Sequence, residues 1–297
     1  MHYFLHNQRS LFRHSSQPAL QRSSIARSVS TVVTRPSQEQ AWRKLAIAGV
    51  GIVGGVAAIN AFFNRETRAA LSTYESDYLR STFGYVGAGL GIVALTAVSM
   101  HRNGFSARLM RANPWLVIGG SLVASIGSMM GVYYTDPANH GQKLLFWTAF
   151  QAAQAATLSP LLFLHPALLS RAALYTAGIL GSLSYVGATA RSDKYLYMGG
   201  PLLAGVTVVA LSSLAPLVLP VGTAALAISE AIYLYGGLAV FGGFVLYDTQ
   251  KMLHHAQLAQ QGYMKRDPVR ESVSFELDFI NIFVRMVMIL SGSQRRK

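Results

Sequence analysis

Residues 195–229 read YLYMGGPLLAGVTVVALSSLAPLVLPVGTAALAIS, thirty-five residues without one Asp, Glu, Lys or Arg. A helix crosses a bilayer with about 20 largely apolar residues, so the stretch exceeds one span. Pro201, Pro216 and Pro220 punctuate it, which reads as a span at 195–215 followed by an apolar turn. Outward from it, the same pattern recurs. Toward the C-terminus come 231–247, closed by Asp248, and 279–294, interrupted only by Arg285. Toward the N-terminus come 172–190, 144–170, 112–135, 81–101 and 45–64. The expected spans are 43–63, 80–101, 114–135, 143–164, 171–190, 195–215, 226–248 and 274–291. The composition agrees: 12% of residues are charged and 52% hydrophobic, against about 25% charged in soluble domains. This excludes a soluble globule and a polar disordered chain. The fold class is an all-α polytopic membrane helix bundle. The chain has no cysteine, which excludes a disulfide framework, a thiolate zinc site and a cysteine nucleophile.

The formal net charge is +13. Before Glu39 lie Arg9, Arg13, Arg22, Arg27 and Arg35, eight serines and three histidines, with no lysine. Arg-rich, Ser-rich and acid-free composition predicts a mitochondrial transit peptide; a basic arm for nucleic acid or anionic lipid is the plainer alternative. Cleavage is expected between Arg22 and Glu39. The predicted organisation is a cleaved leader at 1–38, an extra transmembrane helix and linker at 39–77, a transmembrane core at 78–291 and a basic tail at 292–297. The remaining positive charge lies in short loops beside the bilayer, so no nucleic-acid partner is expected. Lys and Arg divide nine to ten between the two sides, whereas eight acids lie on the side of the connections after the first, third, fifth and seventh spans; both termini are expected in the matrix.

Small residues suit helix packing in lipid, where van der Waals contact joins helices. Gly51/Gly55, Gly87/Gly91 and Gly127/Gly131 form GxxxG pairs, and Gly120, Ala124 and Ser128 extend a ridge. Trp115, Tyr133 and Tyr134 near a span end predict an aromatic belt. Gly49, Gly51 and Gly54 spell GxGxxG, but inside a span rather than between a strand and a helix. No GxxxxGK[ST], HExxH or GxSxG occurs. His254 and His255 point about 100° apart on a helix and read as interfacial polar residues; His165-Pro166 reads as the close of the fourth span. The short loops leave no room for a catalytic domain, and the expectation is a protein that is not an enzyme and carries no cofactor.

Three acids stand where a membrane should exclude them: Glu230, Asp248 and Asp278. Ionisable groups inside spans are costly and point to function. Asp248 ends the seventh span and Asp278 begins the eighth, so antiparallel packing puts both at one face and similar depth. Glu271, Ser274, Asp278, Asn281 and Arg285 repeat at spacings of three and four, one face of a helix. Two adjacent carboxylates cannot both ionise cheaply and can share a proton. Deprotonation then leaves an anionic, oxygen-rich site that suits Ca²⁺. Asp248 and Asp278 are the expected proton switch and cation-binding pair for transported Ca²⁺; the alternative is two acids that mark a membrane–water interface. Asn281, Arg285 and Glu230 are supporting candidates. Arg285 either neutralises a carboxylate or snorkels. Glu230 lies eighteen residues before Asp248, about 27 Å along a straight helix, as a second gate or an interfacial acid.

Leu246-Tyr247-Asp248-Thr249-Gln250, followed by Leu277-Asp278-Phe279-Ile280-Asn281-Ile282-Phe283-Val284-Arg285, resembles the C-terminal signature of the Bax inhibitor-1 (transmembrane BAX inhibitor motif) family. The likeness covers about residues 78–291. The transit-like N-terminus, the extra span, the Tyr263–Arg270 loop with Asp267-Pro268 and the basic Arg295-Arg296-Lys297 end resemble its mitochondrial branch. The resemblance implies a seven-helix Bax inhibitor-1-like core, its last helix central, plus one extra N-terminal transmembrane helix. It also implies a pH-sensing aspartate pair, at Asp248 and Asp278, controlling a Ca²⁺ leak or Ca²⁺/H⁺ exchange across the mitochondrial inner membrane. Cristae organisation, apoptosis regulation, and partners such as cytochrome c or other inner-membrane proteins come with that branch; a structural cristae scaffold without transport is the alternative. Relatives place an arginine in the second core helix near the pair, whereas 112–135 holds no Arg or Lys.

Overall fold

The computed structural model describes residues 70–191, 194–220 and 222–295, with side chains through 292. The expected leader, the first span and its Gly51/Gly55 pair lie outside these residues. All described elements are helical. They are α1 (Thr73–Arg102), α2 (Phe105–Arg111), α3 (Pro114–Tyr134), α4 (His140–Leu158), α5 (Pro166–Thr189), α6 (Gly199–Val218), α7 (Ala224–Ala231), α8 (Gly237–Gln260) and α9 (Pro268–Arg295). A 3-10 turn at Ser159–Phe163 extends α4, and a π-turn at Ile232–Gly236 joins α7 to α8 in one rod.

The helix starts obey local chemistry. Ser72 and Glu75 form a reciprocal capping box on α1, which satisfies two orphan N–H groups at once. Asn113 caps α3 ahead of Pro114, the position where proline's missing donor costs nothing. His165 caps α5 through Nδ1, accepting from the Ala167 N–H at 3.2 Å. It therefore opens the fifth span rather than closing the fourth.

Seven rods follow the seven expected core spans among the described residues, but their lengths differ. Asp248 does not end its helix, which runs on to Gln260, and α9 begins at Pro268 rather than 274. A count of charge-free residues stops at any acid, whereas a buried acid with partners lets the helix continue. By length and composition, four rods are apolar enough to cross a membrane: Thr73–Arg102, Pro114–Tyr134, Leu196–Val218 and Ala224–Gln260. α4 and α9 carry buried polar groups, among them Lys143, Gln151, Glu276 and Arg285. α9 packs against α1, α3, α4, α5 and α8. Ile282, Val273, Phe275 and Val287 of α9 are buried, as are Glu276, Asp278 and Arg285.

The glycine pairs behave differently from the GxxxG expectation. A Cβ at Gly87, Gly91 or Gly127 would meet nothing within 4 Å, so these face outward. Close approach occurs at Gly131, beneath the Phe146 ring, and at Gly89, against the Glu276 carboxyl. Of the aromatic belt, Trp115 and Tyr134 are exposed, but Tyr133 turns inward and shares a 3.2 Å hydrogen bond with the Ser274 hydroxyl.

Candidate functional site

The site lies between α8 and α9, an antiparallel pair joined by residues 261–267. Gly262 makes the turn with φ +81, a left-handed conformation open to glycine without steric cost. Asp267 then caps α9, accepting from the Arg270 N–H at 3.1 Å, with Pro268 in the first turn. The other Asp267 oxygen accepts from Lys143 Nζ at 2.5 Å. Lys143 also donates to the Thr135 carbonyl at 2.8 Å, and its side chain is buried. The α8–α9 turn is thus pinned to the α3–α4 turn. On the exposed side Lys265 donates to Asp136, and that ammonium holds the Asp136 carboxyl below its usual range.

Inward from this turn runs a line of ionisable side chains. His255 Nδ1 and Glu271 Oε1 are 2.8 Å apart across the two helices. Asp248, two turns deeper on α8, has Lys251, Glu271 and His255 as its charged neighbours. Asp278, two turns deeper on α9, has Asp248 as its charged neighbour. Asp248 is 8% exposed and Asp278 4%. Asp278 Oδ2 is buried and has no hydrogen-bond partner. Such an atom is costly to keep, and it is open to a proton or a cation. Among the described residues, no three His, Asp or Glu side chains converge as a metal cluster. A Ca²⁺ ion takes six to eight oxygens, so most ligands beyond the two carboxylates would be carbonyls and water.

Arg285 neither neutralises an aspartate nor snorkels. It is 3% exposed, donates to the Asn281 carbonyl at 2.8 Å and side chain at 3.2 Å, and donates through Nε to the Tyr233 carbonyl at 3.1 Å. The Tyr233 and Phe241 rings flank its guanidinium at 4.8 and 4.7 Å. A Cβ at residue 237 would collide with it, so Gly237 makes its room. The π-turn widens the helix where it lies and supplies the Tyr233 carbonyl. Asn281 is thereby Arg285's partner and not a contact of the aspartate pair. Glu230 stands beyond the π-turn, so the straight eighteen-residue register to Asp248 does not apply; it is half-buried and apart from the pair.

Glu276 is a further buried acid, outside the expected aspartate pair. It is fully buried, accepts from the Gln151 amide, and lies beside Ser272, which takes the Trp147 indole N–H at 3.2 Å. Glu276 Oε1 and Gln151 Oε1 have no hydrogen-bond partner. Glu276 is two residues from Asp278, about 200° around the helix, so α9 carries an acid toward α8 and another toward α1 and α4. Gln151 within a charge-free stretch was the available signal.

A family model described as inhibitor of apoptosis-promoting Bax1 matches residues 75–296. The growth hormone-inducible transmembrane protein of Rattus norvegicus is 36% identical over 255 residues, 84% of this chain and 71% of that protein. Bax inhibitor 1 of Drosophila melanogaster is 26% identical, covering 75% of this chain and 86% of that protein. Bax inhibitor 1 of Homo sapiens is 28% identical, covering 61% and 76% respectively. No solved structure matches the chain.

Proposed function

Since the chain belongs to the Bax inhibitor-1 family of membrane proteins, we propose that it is a pH-gated Ca²⁺ leak or Ca²⁺/H⁺ transport protein. Asp248 and Asp278 act as a di-aspartyl proton switch and as the passing cation's first carboxylates. The observation that carries this reading is the pair itself: two buried carboxylates on adjacent helices, Asp278 with Asp248 as its charged neighbour and with an oxygen left without a hydrogen bond. Like charges so placed favour one shared proton. With it, the pair holds α8 to α9. Without it, repulsion parts the helices and leaves an anionic site for the cation. Flux therefore rises as pH rises. His255 and Glu271, between the pair and the α8–α9 turn, lie on the proton's way in.

The Arg-rich, acid-free N-terminus supports import into mitochondria and residence in the inner membrane. Roles in cristae organisation and apoptosis follow from the family likeness, as does cytochrome c or another inner-membrane protein as partner. The protein is proposed not to be an enzyme and to need no resident cofactor.

The deciding experiment is Ca²⁺ flux into liposomes holding the purified full chain, measured across pH. Wild type should conduct more at higher pH, and Asp248→Asn and Asp278→Asn should each abolish the pH dependence. Unchanged flux in both variants sinks the mechanism. A structural cristae scaffold is the second reading, favoured by the Lys143–Asp267 and Gln151–Glu276 contacts, in which buried charges tie helices together. It predicts no flux from the purified wild type, with altered cristae when the protein is removed.

A further inference from the structure

α1 and α5 both pack on α9 but scarcely on one another. The gap between them is a groove of about 480 Å³, with Gly91, Ala94 and Val98 on one wall, Ala173 on the other, and Leu162 and Phe283 behind. Gly91 and Ala94 are exposed at its edge. Gly91, Ala94 and Ala173 leave the space between the walls unfilled, and a Cβ at Gly91 meets nothing within 4 Å. Along α1 the groove runs from Leu90 to Val98, a rise of about 12 Å. That is close to one leaflet's share of a hydrocarbon core about 30 Å thick.

The groove ends beneath two segments that carry only basic charge. Residues 101–113 and 159–171 hold Arg102, Arg108, Arg111 and Arg171 and not one acid. Arg102 lies one turn beyond Val98, and α2, carrying Arg108 and Arg111, packs against the 3-10 turn that supplies Leu162. His101, one turn beyond Ala97, stacks edge-on with Phe163 at 4.6 Å, and its buried Nδ1 has no hydrogen-bond partner. Apolar depth, a leaflet's length and a purely cationic rim are the recognition chemistry of one ligand class.

We propose that the α1–α5 groove is a site for an anionic diacyl phospholipid, one acyl chain lying between Ala94 and Ala173 and the headgroup among the arginines of the α1–α2 corner. The site stands on the opposite half of the bundle from the α8–α9 turn and does not depend on the transport reading. A bound lipid here would brace α1 and α5 against α9, filling the contact that the two helices do not make themselves.

The absence of cysteine makes the test direct. Ala94→Cys in the full chain, labelled with a benzophenone maleimide, is reconstituted into vesicles of equal phosphatidylglycerol and phosphatidylcholine and irradiated. Leu95→Cys, 75% exposed, reports ordinary surrounding lipid in the same way. Intact-mass analysis should find phosphatidylglycerol adducts enriched several-fold at residue 94 relative to residue 95; each arginine near an anionic surface is worth roughly fivefold at most. Arg102→Gln with Arg108→Gln should bring the two positions to the same ratio while lipid capture persists. Gly91→Leu, which the open Cβ direction accommodates, should lower capture at residue 94. Equal ratios at 94 and 95 in the unmodified background overturn the proposal. So does a protein–protein adduct at residue 94, which would put a second copy in the groove, and so does capture unchanged by Gly91→Leu.

Discussion

Asp278 and Glu276 stand two residues apart and do different work. Asp278 faces another acid, while Glu276 faces an amide. Asparagine at 278 keeps the shape and removes the charge, so folding should survive and pH control should not. Intact melting with lost pH-dependent flux separates a switch from a brace. Lys143 offers the opposite case. Methionine there would leave Asp267 buried without its cation, and breaking one partner of a buried ion pair costs about 3–5 kcal/mol. Lys143→Met should therefore lower the melting temperature in detergent markedly, and the double variant Lys143→Met with Asp267→Asn should recover part of the loss. Asp136 sets the surface counterpart. Lys265 holds its carboxyl below the ordinary value, so its contribution is present above that ordinary value and fades as pH falls through the depressed one. Asp136→Asn should flatten the acid side of the melting curve slightly, because the pair is exposed.

At the scale of elements, close approach decides more than polarity. Gly89 lets α1 reach the Glu276 carboxyl, and Gly237 lets α8 reach Arg285. Gly89→Leu should separate α1 from α9 and lower thermal stability, whereas Gly87→Leu, at an outward position, should leave the melting temperature nearly unchanged. The comparison is a direct check on which glycine packs. The elements themselves were readable from the charge-free stretches, since a bilayer span needs length and apolarity and little else. Their ends were not. Asp248 looked like a boundary because an isolated acid is expensive in lipid, but Lys251 and His255 follow it as basic neighbours on the same helix, which continues. The polar stripe on α9 was legible as spacing. The buried opposite face was not, because Glu276 finds Gln151 across 125 residues of chain. His255 likewise looked interfacial until Glu271 stood beside it. Arg285 was readable as an intruder, but its partner is a carbonyl from the π-turn, and no side-chain pattern announces a π-turn.

Across the whole molecule, charge divides by face. Among the described residues, the α8–α9 and α3–α4 turns bring acids and bases together in pairs, while the C-terminal end of α1, α2 and the N-terminal end of α5 carry Arg102, Arg108, Arg111 and Arg171 and no acid. The bundle core is a single helix wrapped by others. A chain ending before Pro268 should therefore still insert its earlier spans but lose the compact core, and limited proteolysis in detergent should cut its α3–α4 region far faster than in the full chain. Comparable resistance would show that the outer helices hold without their centre.

The position of α9 also orders events in time. It is the last of the described helices to leave the ribosome, yet Gln151 and Trp147 depend on it for their side-chain partners. The earlier helices must wait in the bilayer with those groups uncommitted. Emergence of α9, rather than insertion of any earlier span, is the moment at which those groups meet their partners.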